Sequence, residues 1–153
     1  MPIGDIKNFR QVYDRLATGG QPTETQLKDI ASARYEVVIN LGLLDPKYCL
    51  PDEAGQVVSL GMEYHHVPVV FTDPQVSDFR RFLQIMDSCR ARQTFVHCAL
   101  NWRVSAFVGL FGELRLGWSR SEADAQIRAF WEPNDVWTSF IAECRARGAA
   151  LPP

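Results

Sequence analysis

Three short apolar runs, each followed by a segment of helical periodicity, limit what this chain can fold into. Val37-Val38-Ile39 is β-branched throughout and stops at Asn40-Leu41-Gly42, Met62 to Val70 reads as a second buried strand, and Thr94-Phe95-Val96-His97 is a third. Runs that stay apolar without polar alternation mark strands buried on both faces. Strands separated by helices pair in parallel, so the pattern predicts an α/β layer structure.

The helical segments carry their own signals. Thr23 with Gln26 forms a capping box ahead of Leu27, Ile30 and Ala31. Asp52 to Leu60 reads as a short helix. Asp73-Pro74 looks like an N-cap with proline in the first turn, followed by the stripe Val76, Phe79, Phe82, Leu83 and Met86. From Arg103 to about Leu116 the chain is apolar around most of a helix's girth, as expected for one packed centrally. Ser119 and Glu122 cap a further helix with a face of Ala123, Ile127, Phe130 and Trp131, and Trp137, Phe140, Ile141 and Cys144 line a last one. Up to about Thr18 the chain reads as one or two short extended pieces, ended by Gly19-Gly20-Gln21-Pro22.

Length and composition place this pattern in one domain over residues 1–153. A hydrophobic fraction of 46% and a charged fraction of 22% are ordinary for a globular chain of 153 residues. Sixteen basic against eighteen acidic residues leave no basic field to collect phosphodiester backbones, which argues against a nucleic-acid partner. The N-terminus has no basic start followed by an apolar stretch, and no segment approaches a membrane span. A cytoplasmic location without membrane association is the expectation. Four cysteines without Cys-x-x-Cys spacing are expected as free thiols.

Parallel sheets bind ligands at the carboxyl ends of their strands, which here means Asn40 to Gly42, Val70 to Asp73, and His97-Cys98. Cys98 stands where a buried strand ends and a long helix is about to begin. Such a cysteine is commonly just a small hydrophobe. At a helix N-terminus, however, free N–H groups and the positive helix end stabilise a thiolate. The same amides can hold an oxyanion, and Arg103 can add a two-pronged fork.

The stretch His97-Cys98-Ala99-Leu100-Asn101-Trp102-Arg103 resembles the signature loop of cysteine-dependent phosphatases, where His-Cys ends a strand, an arginine closes the loop and a helix follows. Ala17-Thr18-Gly19-Gly20-Gln21-Pro22-Thr23, Val38-Ile39-Asn40-Leu41, Gly61-Met62-Glu63-Tyr64 and Val67-Pro68-Val69 are similar to stretches of small bacterial dual-specificity-like phosphatases. That group includes the phosphatase-like domain associated with β-lactamase-like hydrolases. The resemblance covers roughly the first 118 residues and implies a tyrosine-phosphatase-like fold with a central, mainly parallel sheet. The loop departs from the common pattern in having four residues rather than five between Cys98 and Arg103, and no glycine. Its length matches many rhodanese-like sulfurtransferases, whose cysteine carries a persulfide.

The resemblance implies Cys98 as nucleophile, with Arg103 and the backbone of Ala99, Leu100, Asn101 and Trp102 holding phosphate. His97 would orient the turn, and Ser105 would support the thiolate. Asp73 is expected as general acid, or as N-cap of its helix, with Asp78 and then Asp45 in reserve. Trp102 either walls the pocket or occupies it, and Trp131 could rim it. His65 and His66 face opposite ways in a strand, so no metal or other cofactor is expected. The expected reaction is phosphomonoester hydrolysis through a phosphocysteine, on a phosphoprotein or a phosphorylated small molecule. Persulfide transfer and phosphate binding without turnover are the alternatives.

Overall fold

The β-branched runs do become strands, and their side chains divide between two cores. The computed structural model describes residues 2–148. After a short 3₁₀ turn (Pro2–Asp5) come β1 (Arg10–Tyr13), β2 (Leu16–Gly19), α1 (Glu24–Ser32), β3 (Val37–Asn40), α2 (Glu53–Ser59), β4 (Glu63–His66), α3 (Val76–Ser88), β5 (Thr94–His97), α4 (Trp102–Arg115), α5 (Arg120–Ile127) and α6 (Asp135–Ala146). The sheet order is β1-β2-β5-β3-β4. Strands β2 to β5 are parallel and β1 joins β2 antiparallel, so the sheet is mainly parallel, as the pattern predicts.

Because successive side chains point to opposite faces, Val37, Ile39, Leu16 and Val96 enter one core with α3, α4 and α6. Val38, Ala17 and Phe95 enter the other with α1 and α2. Phe79, Phe82, Phe107 and Phe111 are fully buried between α3 and α4, with Phe79 and Phe107 edge to face at 5.3 Å. Each such side chain contributes roughly 1.5–3 kcal/mol by leaving water. Helix α4 is buried continuously from Arg103 to Gly112, which explains its apolar girth. Gly109 lets α5 approach: a Cβ there would lie 2.6 Å from Ile127 Cγ1 and 2.9 Å from Ala123 O.

Several boundaries differ from the sequence reading. Met62 to Val70 is expected as a buried strand, but the ladder spans only Glu63–His66, and these residues are half-buried or exposed. Strand β4 is the sheet edge, so one of its sides has no neighbouring strand. The chain still follows β3, with Val67 N donating to Asn40 O and Val69 N to Leu41 O, while Pro68 supplies no amide. Asp73 does not cap α3. Its amide closes a turn on Val70 O, and the helix starts after Gln75, whose N–H donates to the Asp78 carboxylate at 3.2 Å. Helix α4 starts one residue earlier than expected, and Trp131 lies beyond the end of α5. Among the described residues, no helix is long and apolar enough to cross a membrane.

One polar pair joins the layers. Glu53, the first residue of α2, is 4% exposed, and its Oε2 lies 2.7 Å from Nε2 of the fully buried His97. Its other oxygen accepts from Gln21 Nε2 at 2.7 Å. Burial alone would push this carboxyl up, but the charge and hydrogen bond of His97, with the bond from Gln21, outweigh it and hold the group below its ordinary value. Its contribution to stability is therefore complete above the unfolded-state value of about 4.3, and is lost as pH falls through the lower native value. In urea unfolding at pH 7, Glu53→Gln should cost about 1–3 kcal/mol, and this gap should narrow steadily on going from about pH 5 to pH 3. A gap that is constant with pH would show that the carboxylate charge does not stabilise the fold.

Candidate active site

The turn from β5 into α4 is set by where its carbonyl groups go. The oxygen of His97 accepts from Leu41 N at 2.8 Å, that of Ala99 from Gln21 N at 3.1 Å, that of Leu100 from Asn8 Nδ2 at 2.8 Å, and that of Asn101 from Ser105 N at 3.0 Å. Each oxygen is claimed by the scaffold. The amides of Ala99, Leu100, Asn101, Trp102 and Arg103 have no acceptor among the described residues. Amides left free beside a helix N-terminus form an anion-binding concavity.

The loop manages without glycine because one residue alone takes the left-handed conformation. Asn101, the N-cap of α4, has φ 65°, a region that asparagine tolerates. Its Nδ2 donates to Asn8 O at 2.8 Å and Thr18 Oγ1 at 3.0 Å, locking the turn to the segments before and within β2. Leu100 and Trp102 keep negative φ. Gly20 is needed by the close approach of the neighbouring segment, since a Cβ there would lie 2.5 Å from Ala99 O.

Cys98 is 1% exposed and forms the floor of a cavity of about 160 Å³ walled by Phe71, Ala99, Leu100, Trp102 and Arg103. Arg103 is almost buried, and its Nη1 donates to Val69 O at 2.8 Å. No carboxylate pairs with it among the described residues. Its remaining N–H groups likewise have no protein acceptor there, so the guanidinium is anchored at one corner and can still offer a fork to two oxygens. His97 does not line the cavity. Both its ring nitrogens face acceptors, Nε2 the Glu53 carboxylate and Nδ1 the carbonyl oxygen of Cys98 at 3.3 Å, which fixes the ring behind the loop.

Trp102 walls the cavity. It stacks on Trp131 with centroids 5.4 Å apart and planes 6° from parallel, and Phe71 meets both rings at 6.1 and 5.6 Å. Trp137 Nε1 donates to Phe71 O at 2.8 Å and holds the Phe71 segment in place.

The structure does not bring every expected residue together. Ser105 is turned away from sulfur: its hydroxyl reaches Trp102 O at 2.8 Å and Ile127 O at 3.0 Å, and accepts from Trp131 Nε1 at 3.0 Å. With donor and acceptor both engaged, it positions Trp131 instead of the thiol. Asp73 is exposed, accepts from Gln75 Nε2 at 2.8 Å, and faces a surface recess with Asp135 and Glu143. None of the residues lining the Cys98 cavity is an acid. Asp78 is occupied with Gln75 N, its carboxyl pushed up by burial against that hydrogen bond, and Asp45 accepts from Lys47 N. Sequence reasoning missed Glu53 and Asn8 as parts of the site and placed Phe71 only within the strand end Val70 to Asp73, without a role.

These features have counterparts in known proteins. A family model described as DSP-PTPase phosphatase fused to NAD+ kinase matches residues 4–131. No curated protein matches the chain. Among solved structures, a DUF442 protein of Shewanella putrefaciens CN-32, to which phosphatase activity has been ascribed, is 30% identical, with a TM-score of 0.88 over 95% of this chain and 96% of that one. Tk-PTP in its active form is 20% identical, with a TM-score of 0.79 over 92% and 97% of the two chains. A kinase associated phosphatase carrying serine in place of its catalytic-site cysteine is 16% identical, with a TM-score of 0.76 over 88% of each. The latter two likenesses concern the fold. The family match spans most of the sequence and includes the whole Cys98 loop, so the chain belongs to the DSP-PTPase phosphatases and is an enzyme of that family.

Proposed function

We propose that this enzyme hydrolyses a phosphomonoester with a flat, apolar leaving group, a phosphotyrosine side chain or a small aryl phosphate, through a phosphocysteine at Cys98. The observation that carries this reading is the loop with its carbonyls turned outward and its amides free around Cys98, beside a single guanidinium. One cation suits one phosphoryl group. A substrate with several phosphates would meet Phe71, Leu100 and Trp102, which offer apolar surface and no further charge.

In the first step the Cys98 thiolate attacks phosphorus and the bond from phosphorus to the leaving oxygen breaks, while Arg103 and the loop amides hold the three non-bridging oxygens. The leaving oxygen takes up a proton. Asp73 is the proposed donor, because it is two residues from the cavity wall Phe71 and its exposed carboxyl is held only by Gln75. In the second step water attacks phosphorus and gives a proton to the Asp73 carboxylate, the bond from sulfur to phosphorus breaks, and the thiolate leaves with release of inorganic phosphate.

The deciding assay follows release of inorganic phosphate from a phosphotyrosine peptide and an aryl phosphate, with thiosulfate plus cyanide in parallel. Phosphate release that disappears in Cys98→Ser supports the proposal, and thiocyanate formation instead would replace it with persulfide transfer. Arg103→Lys should weaken competitive inhibition by inorganic phosphate on the order of tenfold to a hundredfold, the value of a charge-assisted fork that an ammonium does not reproduce. Unchanged inhibition would remove Arg103 from the anion site. Asp73→Asn should slow turnover of the phosphotyrosine peptide by about 10²–10⁴-fold, and an activated aryl phosphate should lose much less. Equal rates on the peptide would exclude Asp73 as the acid.

A further inference from the structure

A second group of reactive side chains lies at the sheet edge and shares no residue with the Cys98 cavity. Glu63 and His65, two apart on β4, point to the same face, and Cys89 follows directly on α3 as its C-cap. One ligand atom from each, a carboxylate oxygen, an imidazole nitrogen and a sulfur, all fall within 4.8 Å of one another. The ladder register sets Glu63 level with Val37 and so with Thr94, at the start of β5, whereas Cys98 follows its end.

We propose that Glu63, His65 and Cys89 form a binding site for a zinc-like divalent cation. The donor set of carboxylate, imidazole and thiolate suits a borderline-soft ion. A tetrahedral centre with the usual bond lengths needs ligand atoms roughly 3.3–3.6 Å apart. Here the closest pair, His65 Nε2 and Glu63 Oε2, is at 2.6 Å, and all three atoms stay within 4.8 Å, so small side-chain shifts open the centre.

The carboxylate is already oriented: Oε1 of Glu63 accepts from Arg92 Nη1 at 3.1 Å while Oε2 faces His65. An outer partner on the free oxygen is the arrangement that orients ligating carboxylates. Cys89 is 3% exposed and supplies sulfur from below, while the side chains of Glu63 and His65, 44% and 28% exposed, leave room for entry and for a water as fourth ligand. Burial, with the Glu63 charge, pushes the Cys89 thiol up, so it stays protonated until an ion displaces its proton. Binding would release that proton to solvent. The bound ion would tie the end of α3 to the unpaired edge strand.

The test is titration of the full chain with Co²⁺ in a Cys98→Ser background, which removes the catalytic thiol as a competing ligand. One equivalent should produce a near-ultraviolet thiolate-to-cobalt absorption that Zn²⁺ abolishes by displacement. Cys89→Ser should remove the absorption, and His65→Ala and Glu63→Gln should each weaken binding by about 10–100-fold. Zn²⁺ should raise the Tm of the Cys98→Ser protein, and at the same concentration raise that of the His65→Ala version clearly less. If Cys89→Ser fails to fold by circular dichroism, the two exposed-side variants carry the result. No thiolate absorption from folded protein would overturn the proposal. So would an absorption that survives His65→Ala and Glu63→Gln and disappears only on replacing Cys49 or Cys144.

Discussion

The site depends on how five consecutive backbone carbonyls find donors. Residues 97–101 pass from the end of a strand into the start of a helix, leaving those between with no regular ladder, and buried carbonyls without partners would each cost on the order of 1–3 kcal/mol. Leu41, Gln21, Asn8 and Ser105 supply partners for four of them from four different segments, and Nδ1 of His97 faces the fifth, that of Cys98. Once every oxygen is drawn outward, planarity of the peptide bond turns the amides inward. The proposed anion site is therefore the by-product of satisfying the other half of the backbone. This also explains why the segment around Gly19-Gly20 runs so close to the loop: the amide of Gln21 must reach Ala99 O, and a side chain on Gly20 would stand in the way.

Behind that loop, the fully buried His97 is tolerable because Glu53 meets it, and Glu53 is tolerable because His97 and Gln21 meet it. A buried charge without a partner costs several kcal/mol, so the pair exists as a unit or not at all. It also joins α2 to β5 across the layer boundary, so the end of the central strand is held from both sides. On the open side, the packing of Phe71, Trp102, Trp131 and Trp137 does the corresponding work with apolar surface. Ser105 and the indole N–H groups of Trp131 and Trp137 satisfy their polar atoms within that cluster. The cavity over Cys98 thus has a polar, rigid back and an aromatic front.

The sheet edge obeys a different constraint. Strand β4 has a neighbour on one side only, and its side chains stay half in water. Charged groups are the usual means of keeping such an edge from pairing with other chains. Glu63, His65 and Arg92 meet that need, and the thiol of Cys89 beneath them turns an edge of ion pairs into a set of metal donors.

The order of strands and helices, the parallel character of the sheet and the position of Cys98 at a strand-to-helix turn were legible in the sequence, because apolar periodicity and capping residues are local properties. Val37-Val38-Ile39 or Thr23 with Gln26 says the same thing in isolation as in the folded chain. The edge position of β4 was legible only in part: Glu63, His65 and His66 put polar groups within Met62 to Val70, but which side of the strand lacks a neighbour is decided by the sheet order. The roles of Asn8, Glu53 and Phe71, the turning away of Ser105 and the exposure of Asp73 belong to the tertiary structure. Each depends on which residues, tens of positions away, occupy the space next to it. Asn101 shows the division most clearly: the sequence alone places an asparagine in a loop without glycine, but only the packed segments carrying Asn8 and Thr18 hold it in the left-handed conformation that closes the turn.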